Sequence, residues 1–271
     1  IIMNDGVKYI DEHAFGNCTN LNTFIFMGLK SPSFYIPIFD GCINLTKVLV
    51  NMRYVSFEFE KIPVERCFDQ GEHGTNIKYD FRIKNQTGIL ILSGNGEIDR
   101  KSIPWDSYSS KINQVIIQNN ITSIPSDLFN YYSHLNSIDV DENNMYYKSI
   151  NGVLYNYNES IVIKYPSEKP ESSFMLSDKV MLIPEYAFKE CYNLITLSIN
   201  SNLTEIANYA FYYCSNLSSI FYYGQSRILT QYPGVFSGCF KLQNIFVLVS
   251  YPGDFISNIR VNKALLDPPT F

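Results

Sequence analysis

Long apolar runs are absent from this chain: the longest, Ile245 to Val249, falls far short of the roughly 20 residues that span a bilayer. No membrane contact is expected within the segment. Clusters of lysine and arginine are absent too. With a net charge of -5 and a pI near 5.3, the chain lacks the basic surface whose counterion release drives nucleic-acid binding. Histidine is scarce, and His13, His73 and His134 lie too far apart in the sequence for a triad or a metal cluster. No pair of Cys or His stands at CxxC spacing. His73, near Asp69 and Glu72, reads as part of a solvated loop rather than a metal ligand. Asp139, Asp141 and Glu142 form the densest acidic group, but calcium demands about six or more oxygens in a shaped loop, so they read as a solvated edge. Gly94-Asn95-Gly96 lacks the third glycine and the following helix of a phosphate loop and reads as a turn. The single tryptophan, Trp105 after Pro104, reads as a wedge packing one segment on the next. No catalytic residue, metal or cofactor is expected. No leader is visible either, because Ile1-Ile2-Met3 runs straight into Val7-Lys8-Tyr9-Ile10, so the chain reads as cut from something longer.

What is present is repetition. A hydrophobic content of 46% with 17% charged residues excludes intrinsic disorder, and 19 Phe with 21 Tyr supply bulky filling. A phrase AFxxCxxLxxIxI is legible at Ala14-Phe15/Cys18/Leu21/Phe24/Phe26, Ala187-Phe188/Cys191/Leu194/Leu197/Ile199 and Ala210-Phe211/Cys214/Leu217/Ile220/Tyr222. Weaker copies stand at Phe39/Cys42/Leu45/Val48/Val50, Leu128-Phe129/Tyr132/Leu135/Ile138/Val140 and Phe236/Cys239/Leu242/Ile245/Val247. A period of about 20–29 residues marks a leucine-rich repeat.

The LxxIxI part alternates with period two and reads as a short strand with its apolar members inward. An upstream step (Val7/Ile10, Ile121/Ile124, Val180/Ile183, Leu203/Ile206) turns the chain over the back, and AFxxC has room for a single helical or 3₁₀ turn. The expected fold is a right-handed leucine-rich repeat solenoid with a strand-lined concave face, little regular helix and β-rich insertions. Its segments are N-terminal repeats over 1–51, a β-rich insertion with a degenerate coil around Cys67 over 52–111, and a second array over 112–250 with a hairpin insert at 141–179. A cap or stalk over 251–271 completes the chain. Within the first insertion, Ile77 to Phe81 and Ile89 to Leu92 flank a turn at Asn85 to Gly88; within the second, Gly152 to Tyr155 and Ile161 to Tyr165 flank Asn156 to Ser160.

These residues resemble the BspA-like leucine-rich repeat surface proteins of bacteria and parasitic protists, over nearly the whole chain. Beyond the repeat phrase, the likeness extends to Gly88 to Gly96, to Pro104-Trp105 with Ile112 to Ile117, to Ser149 through Pro166, and to Tyr222-Tyr223-Gly224. Tyr132 in place of Cys, and Ser126-Asp127-Leu128 before Phe129, depart from the pattern. The resemblance implies display at the cell surface, adhesion to host cells, extracellular matrix proteins or other microbes, and no catalytic activity.

Five of the six cysteines share one repeat position. Neighbouring coils stack at about 4.8 Å, which admits disulfides, yet Tyr132 in the same slot favours a buried site for a modest hydrophobe with free thiols. Seven NxS/T sequons occur. Asn17 begins the first; Asn44 and Asn216 belong to the repeat phrase, where an Asn before Leu serves a turn. Asn85, Asn120, Asn158 and Asn202 remain candidates for glycosylation. The middle residue of each IxI faces solvent on the concave side. In order these are Ile25, Leu49, Ile116, Asp139, Ser198, Phe221 and Phe246, with Tyr223 beside Phe221. Five large apolar residues in a row that should be polar point to a protein-binding face, although an insert or a second copy of the chain would also cover it. The reading is a non-enzymatic, adhesin-type ectodomain segment. The alternative is an intracellular or receptor scaffold with a protein partner.

Overall fold

The computed structural model describes residues 1–230 and 233–266. It is a β-solenoid whose regular helix, among these residues, is confined to the 3₁₀ segments Asp106–Lys111 and Pro233–Phe236. The chain divides into two compact units, one of residues 1–71 with 80–86 and one of 72–79 with 87–271.

In the first unit, Ile2–Met3, Phe24–Phe26, Val48–Asn51 and the start of Ile62–His73 run parallel, with Ile2, Ile25, Leu49 and Glu65 in one register. Period-two alternation drives Phe24, Phe26, Val48 and Val50 into the interior, where none is more than 1% exposed. The core is aromatic: Phe24 meets Phe15, Phe39 and Phe59 at ring-centroid distances of 5.2, 5.0 and 5.7 Å. Behind the sheet, Tyr9–Ile10 pairs with Ser33–Phe34, making the return of the coil. Cys67 is buried within the Ile62–His73 strand at a bulge between Arg66 and Phe68. It does not occupy an AFxxC turn, although the strand that holds it continues the parallel ladder from Val48–Asn51.

In the second unit, Thr87–Gly94, Gln114–Ile117 and Ser137–Val140 form one parallel ladder. The stretch Ile89 to Leu92, expected inside an insertion, is a coil strand whose Leu90 and Leu92 are fully buried. The turn before it is tighter than expected. Asn85 and Gln86 alone carry it, with φ of 50° and 66°. The second insert is a three-stranded antiparallel sheet, Tyr147–Ile150, Val153–Asn156 and Val162–Lys164, whose first turn is Asn151-Gly152 in left-handed conformation. It docks on the open edge of Ser137–Val140: the Ile138 N–H donates to Gly152 O at 2.9 Å and Ser149 Oγ to Ile138 O at 2.6 Å. The insert thereby covers a strand edge that would otherwise be unpaired.

Beyond it a second parallel ladder runs Ser173–Met175, Thr196–Ile199, Ser219–Tyr222, Asn244–Leu248 and Ile259–Ala264, the last joined by the short antiparallel Phe255–Ile256. Phe188 stacks on Tyr165 at 5.0 Å and on Phe211 at 4.9 Å, and Phe211 on Phe236 at 5.4 Å, an aromatic column through the coils. Part of the expected cap is thus a further strand; residues 267–271 of it lie outside the described residues.

The repeated cysteines have a definite structural job. All six thiols are free, and those of Cys42, Cys214 and Cys239 donate to the carbonyls of Phe15, Phe188 and Phe211 in the preceding coil at 2.9, 2.7 and 3.0 Å. Burial pushes the Cys214 thiol far above its ordinary range, and Cys67 up to about 11. The Asn before Leu also bridges coils rather than serving its own turn: Asn44, Asn193 and Asn216 donate to the carbonyls of Thr19, Lys169 and Tyr192 at 2.6, 3.2 and 2.7 Å.

Candidate functional site

The middle residues Ile25, Leu49, Ile116, Ser198, Phe221 and Phe246 are each half-buried between buried neighbours, and Asp139 lies between buried Ile138 and half-buried Val140. Within the second unit they do not form one row. In the first unit Ile25 and Leu49 adjoin Ile2 and Glu65. In the second unit Ile116 stands between Ile91 and Asp139, and the docked insert ends that ladder. A separate ladder reads Met175, Ser198, Phe221, Phe246 and Asn262.

The ladders differ in chemistry. Asp139 is engaged, since its Oδ2 accepts from Gln114 Nε2 at 2.6 Å and from Ser137 Oγ at 3.3 Å. Phe221 and Phe246 are instead stacked on each other, centroids 4.9 Å apart and planes 13° from parallel. Tyr223 is half-buried past the end of its strand, and Leu248 shares the outward face of Asn244–Leu248 with Phe246. Ser198, Ser219, Asn244 and Asn262 surround the group with polar side chains. Inner residues of the same strands, Leu197, Ile220 and Ile245, are at most 2% exposed and make the scaffold. Leu248 and Met175 were missed by sequence reasoning because the first ends a strand one residue longer than the preceding Ser219–Tyr222 and the second lies inside the expected insert.

Other candidates resolve into structure. His73 is buried, not in a solvated loop: its Nε2 meets Asp99 O at 2.5 Å and its ring packs edge-on against Trp105 at 5.6 Å. The long Ile62–His73 strand carries it inward. Trp105 is fully buried and donates Nε1–H to the Tyr132 hydroxyl at 2.8 Å, so Tyr132 in the cysteine slot is a partner for the wedge. Burial drives the Tyr132 phenol far up. Among the described residues no group of three His, Cys, Asp or Glu side chains converges as metal ligands, and no helix is long and apolar enough to cross a membrane. The candidate sequon residues Asn85, Asn120, Asn158 and Asn202 are all exposed, and Asn202 Nδ2 also donates to Asp178 O at 2.6 Å.

A coil made of a short parallel strand, a back step and a Cys-bearing turn is matched by the model of the BspA type leucine rich repeat region, in 6 copies over residues 1–85, 102–171 and 159–253. The chain belongs to the BspA-type leucine-rich repeat family. Three solved structures are similar to this BspA-type chain. A leucine-rich repeat protein from Eubacterium ventriosum is 16% identical, with 66% of this chain and 78% of that one covered and a TM-score of 0.34. The pneumococcal vaccine antigen PcpA is 16% identical over 97% of this chain and 65% of its own, TM-score 0.47. A leucine rich cell surface protein from Faecalibacterium prausnitzii is 15% identical over 89% and 83%, TM-score 0.34. No curated protein sequence matches significantly. BspA-type repeats are generally non-enzymatic scaffolds, and leucine-rich repeats typically present an interaction surface to another protein.

Proposed function

We propose that the chain is a ligand-binding segment of a cell-surface, adhesin-type protein. It binds host cells, matrix proteins or other microbes through the strand face of its second unit. No bond is made or broken; the mechanism is surface complementarity. The observation that carries the reading is the stacked Phe221/Phe246 pair, flanked by Tyr223 and Leu248 and rimmed by polar residues. The inner residues already build the core, so these outer rings contribute little to it, and a half-exposed aromatic cluster within a polar rim is what the centre of a protein interface looks like. Ile116 and Asp139 on the other ladder of the same unit are further candidate contacts, and Ile25 and Leu49 are candidates of the first unit by itself. Glycans on the exposed Asn85, Asn120, Asn158 or Asn202 would accord with display outside the cell.

The test is attachment of the soluble chain to host cells and immobilised matrix proteins. Changing Phe221 and Phe246 to Ser together is expected to weaken attachment at least tenfold, as loss of a two-ring hot spot does, with the melting midpoint kept within a few degrees. Undiminished attachment by the folded double variant refutes the reading.

A further inference from the structure

The turns that carry the repeated cysteines hold a second aromatic group, partly exposed and away from the strand positions. Tyr186 and Tyr209, the residues before each Ala-Phe, stack with centroids 5.8 Å apart and planes 7° from parallel. Tyr212 meets both edge-on at 6.0 and 5.5 Å, Tyr213 adjoins Tyr212 at 4.6 Å, and Phe240 adjoins Tyr213 at 6.1 Å. Tyr213 is 42% exposed, Phe240 76% and nearby Tyr131 66%. Tyr186, Tyr209 and Tyr213 hold their rings there at φ of 59°, 54° and 58°, a region costly for any residue but glycine. At the position before the cysteine, the coils of Cys42 and Cys239 place Gly41 and Gly238 in the same left-handed conformation. The backbone therefore does not call for tyrosine at 213.

The charges around the strip have a bias. Glu185 lies beside Tyr186, and Glu190 and Glu168 act on Tyr192. Against them stands Lys189, already occupied by Asn130 O at 2.7 Å and Glu190 at 3.4 Å, while Lys241 donates to Asn216 Oδ1 at 2.7 Å. Lys189 Nζ also sits 5.5 Å from the Tyr131 ring centroid, so the strip already holds one ammonium against an aromatic face. We infer that this tyrosine strip is a second docking surface, and that it takes an extended, arginine- or lysine-bearing segment of a partner protein. Tyrosine faces with the carboxylates of Glu185 and Glu168 nearby fit a cation, and arginine best, because its planar guanidinium stacks as well as pairs. Rings recurring coil by coil form a linear track, which an extended chain can follow.

The test uses the 271-residue chain and a labelled peptide of alternating arginine and serine, with its glutamate–serine counterpart, followed by fluorescence anisotropy. The arginine peptide binds and the glutamate peptide does not. Changing Tyr209 and Tyr213 to Gly weakens binding about tenfold, the combined effect of two lost cation–π contacts, and glycine at these left-handed positions keeps the fold. Glu185→Gln weakens binding and flattens its salt dependence. The Phe221/Phe246 double Ser variant binds the arginine peptide as the parent does, which separates this surface from the strand face. Equal binding by the folded Tyr209/Tyr213 glycine variant, equal binding of the glutamate peptide, or self-association of the chain through the strip in sedimentation each overturns the proposal.

Discussion

At the residue scale, Lys164 is the most consequential side chain that the repeat phrase does not mention. It ends a strand of the insert and is 4% exposed, with its Nζ donating to Tyr186 O at 2.9 Å. Burial lowers its ammonium from the ordinary lysine range to about 8; Lys189 lowers it further, while Cys191, Cys214 and Glu190 pull the other way. The unfolded chain keeps the proton up to about pH 10.5, so below pH 8 the fold carries a constant penalty on the order of 3 kcal/mol. Between about pH 8 and 10.5 that penalty fades, because the unfolded state binds more protons there. Lys164→Met should therefore stabilise the protein at pH 7 by about 1–3 kcal/mol, and its advantage should shrink as pH rises towards 10. Buried thiols and phenols, whose raised values favour the neutral form in the fold, lose stability above about pH 9 in both proteins, so they cancel in the difference. Denaturant titrations of the two chains at pH 7 and pH 10 decide it; an advantage independent of pH would be wrong for this account.

At the element scale, coils are held together by two side-chain rungs besides the sheet, the thiols and the asparagine amides. Asn216→Ala removes one rung, its bond to Tyr192 O, and should cost about 1 kcal/mol. Asn120→Ala, at an exposed sequon, should cost little. Equal midpoint shifts in the two variants would remove the asparagine rung from the account. The division between what the sequence disclosed and what it hid follows the range of the interaction. Phe188, Phe211 and their Leu and Ile companions declared the coils because their spacing is local. The left-handed conformations of Tyr186, Glu190, Tyr209 and Tyr213 were hidden because neither tyrosine nor glutamate announces positive φ. The docking of Gly152 on Ile138, which breaks the outward residues into separate ladders, is a contact between an insert and a coil that no periodicity encodes. Half of the candidate surface was legible for the same reason: alternation identified Phe221 and Phe246, while Leu248 depended on strand length.

At the scale of the whole molecule, the two compact units imply unfolding that is not a single event. Phe24, Val48, Val50 and Phe59 belong to one hydrophobic cluster, and Phe188, Phe211, Ile220 and Ile245 to another. In a stacked array each coil touches only its neighbours, so a lost side chain is felt locally and cooperativity decays along the chain. Phe24→Ala and Phe211→Ala each delete a fully buried ring, and each should cost about 3–5 kcal/mol. They should do so in different transitions. Differential scanning calorimetry of the parent is expected to give a van't Hoff enthalpy below the calorimetric one, with Phe24→Ala moving one component of the endotherm and Phe211→Ala the other. The two variants would then differ in function as well. With the second unit intact, Phe24→Ala should retain attachment through Phe221 and Phe246 at temperatures where its own unit has melted, whereas Phe211→Ala should lose attachment when its component melts. One transition shifted equally by both substitutions would show that the chain folds as a single cooperative body.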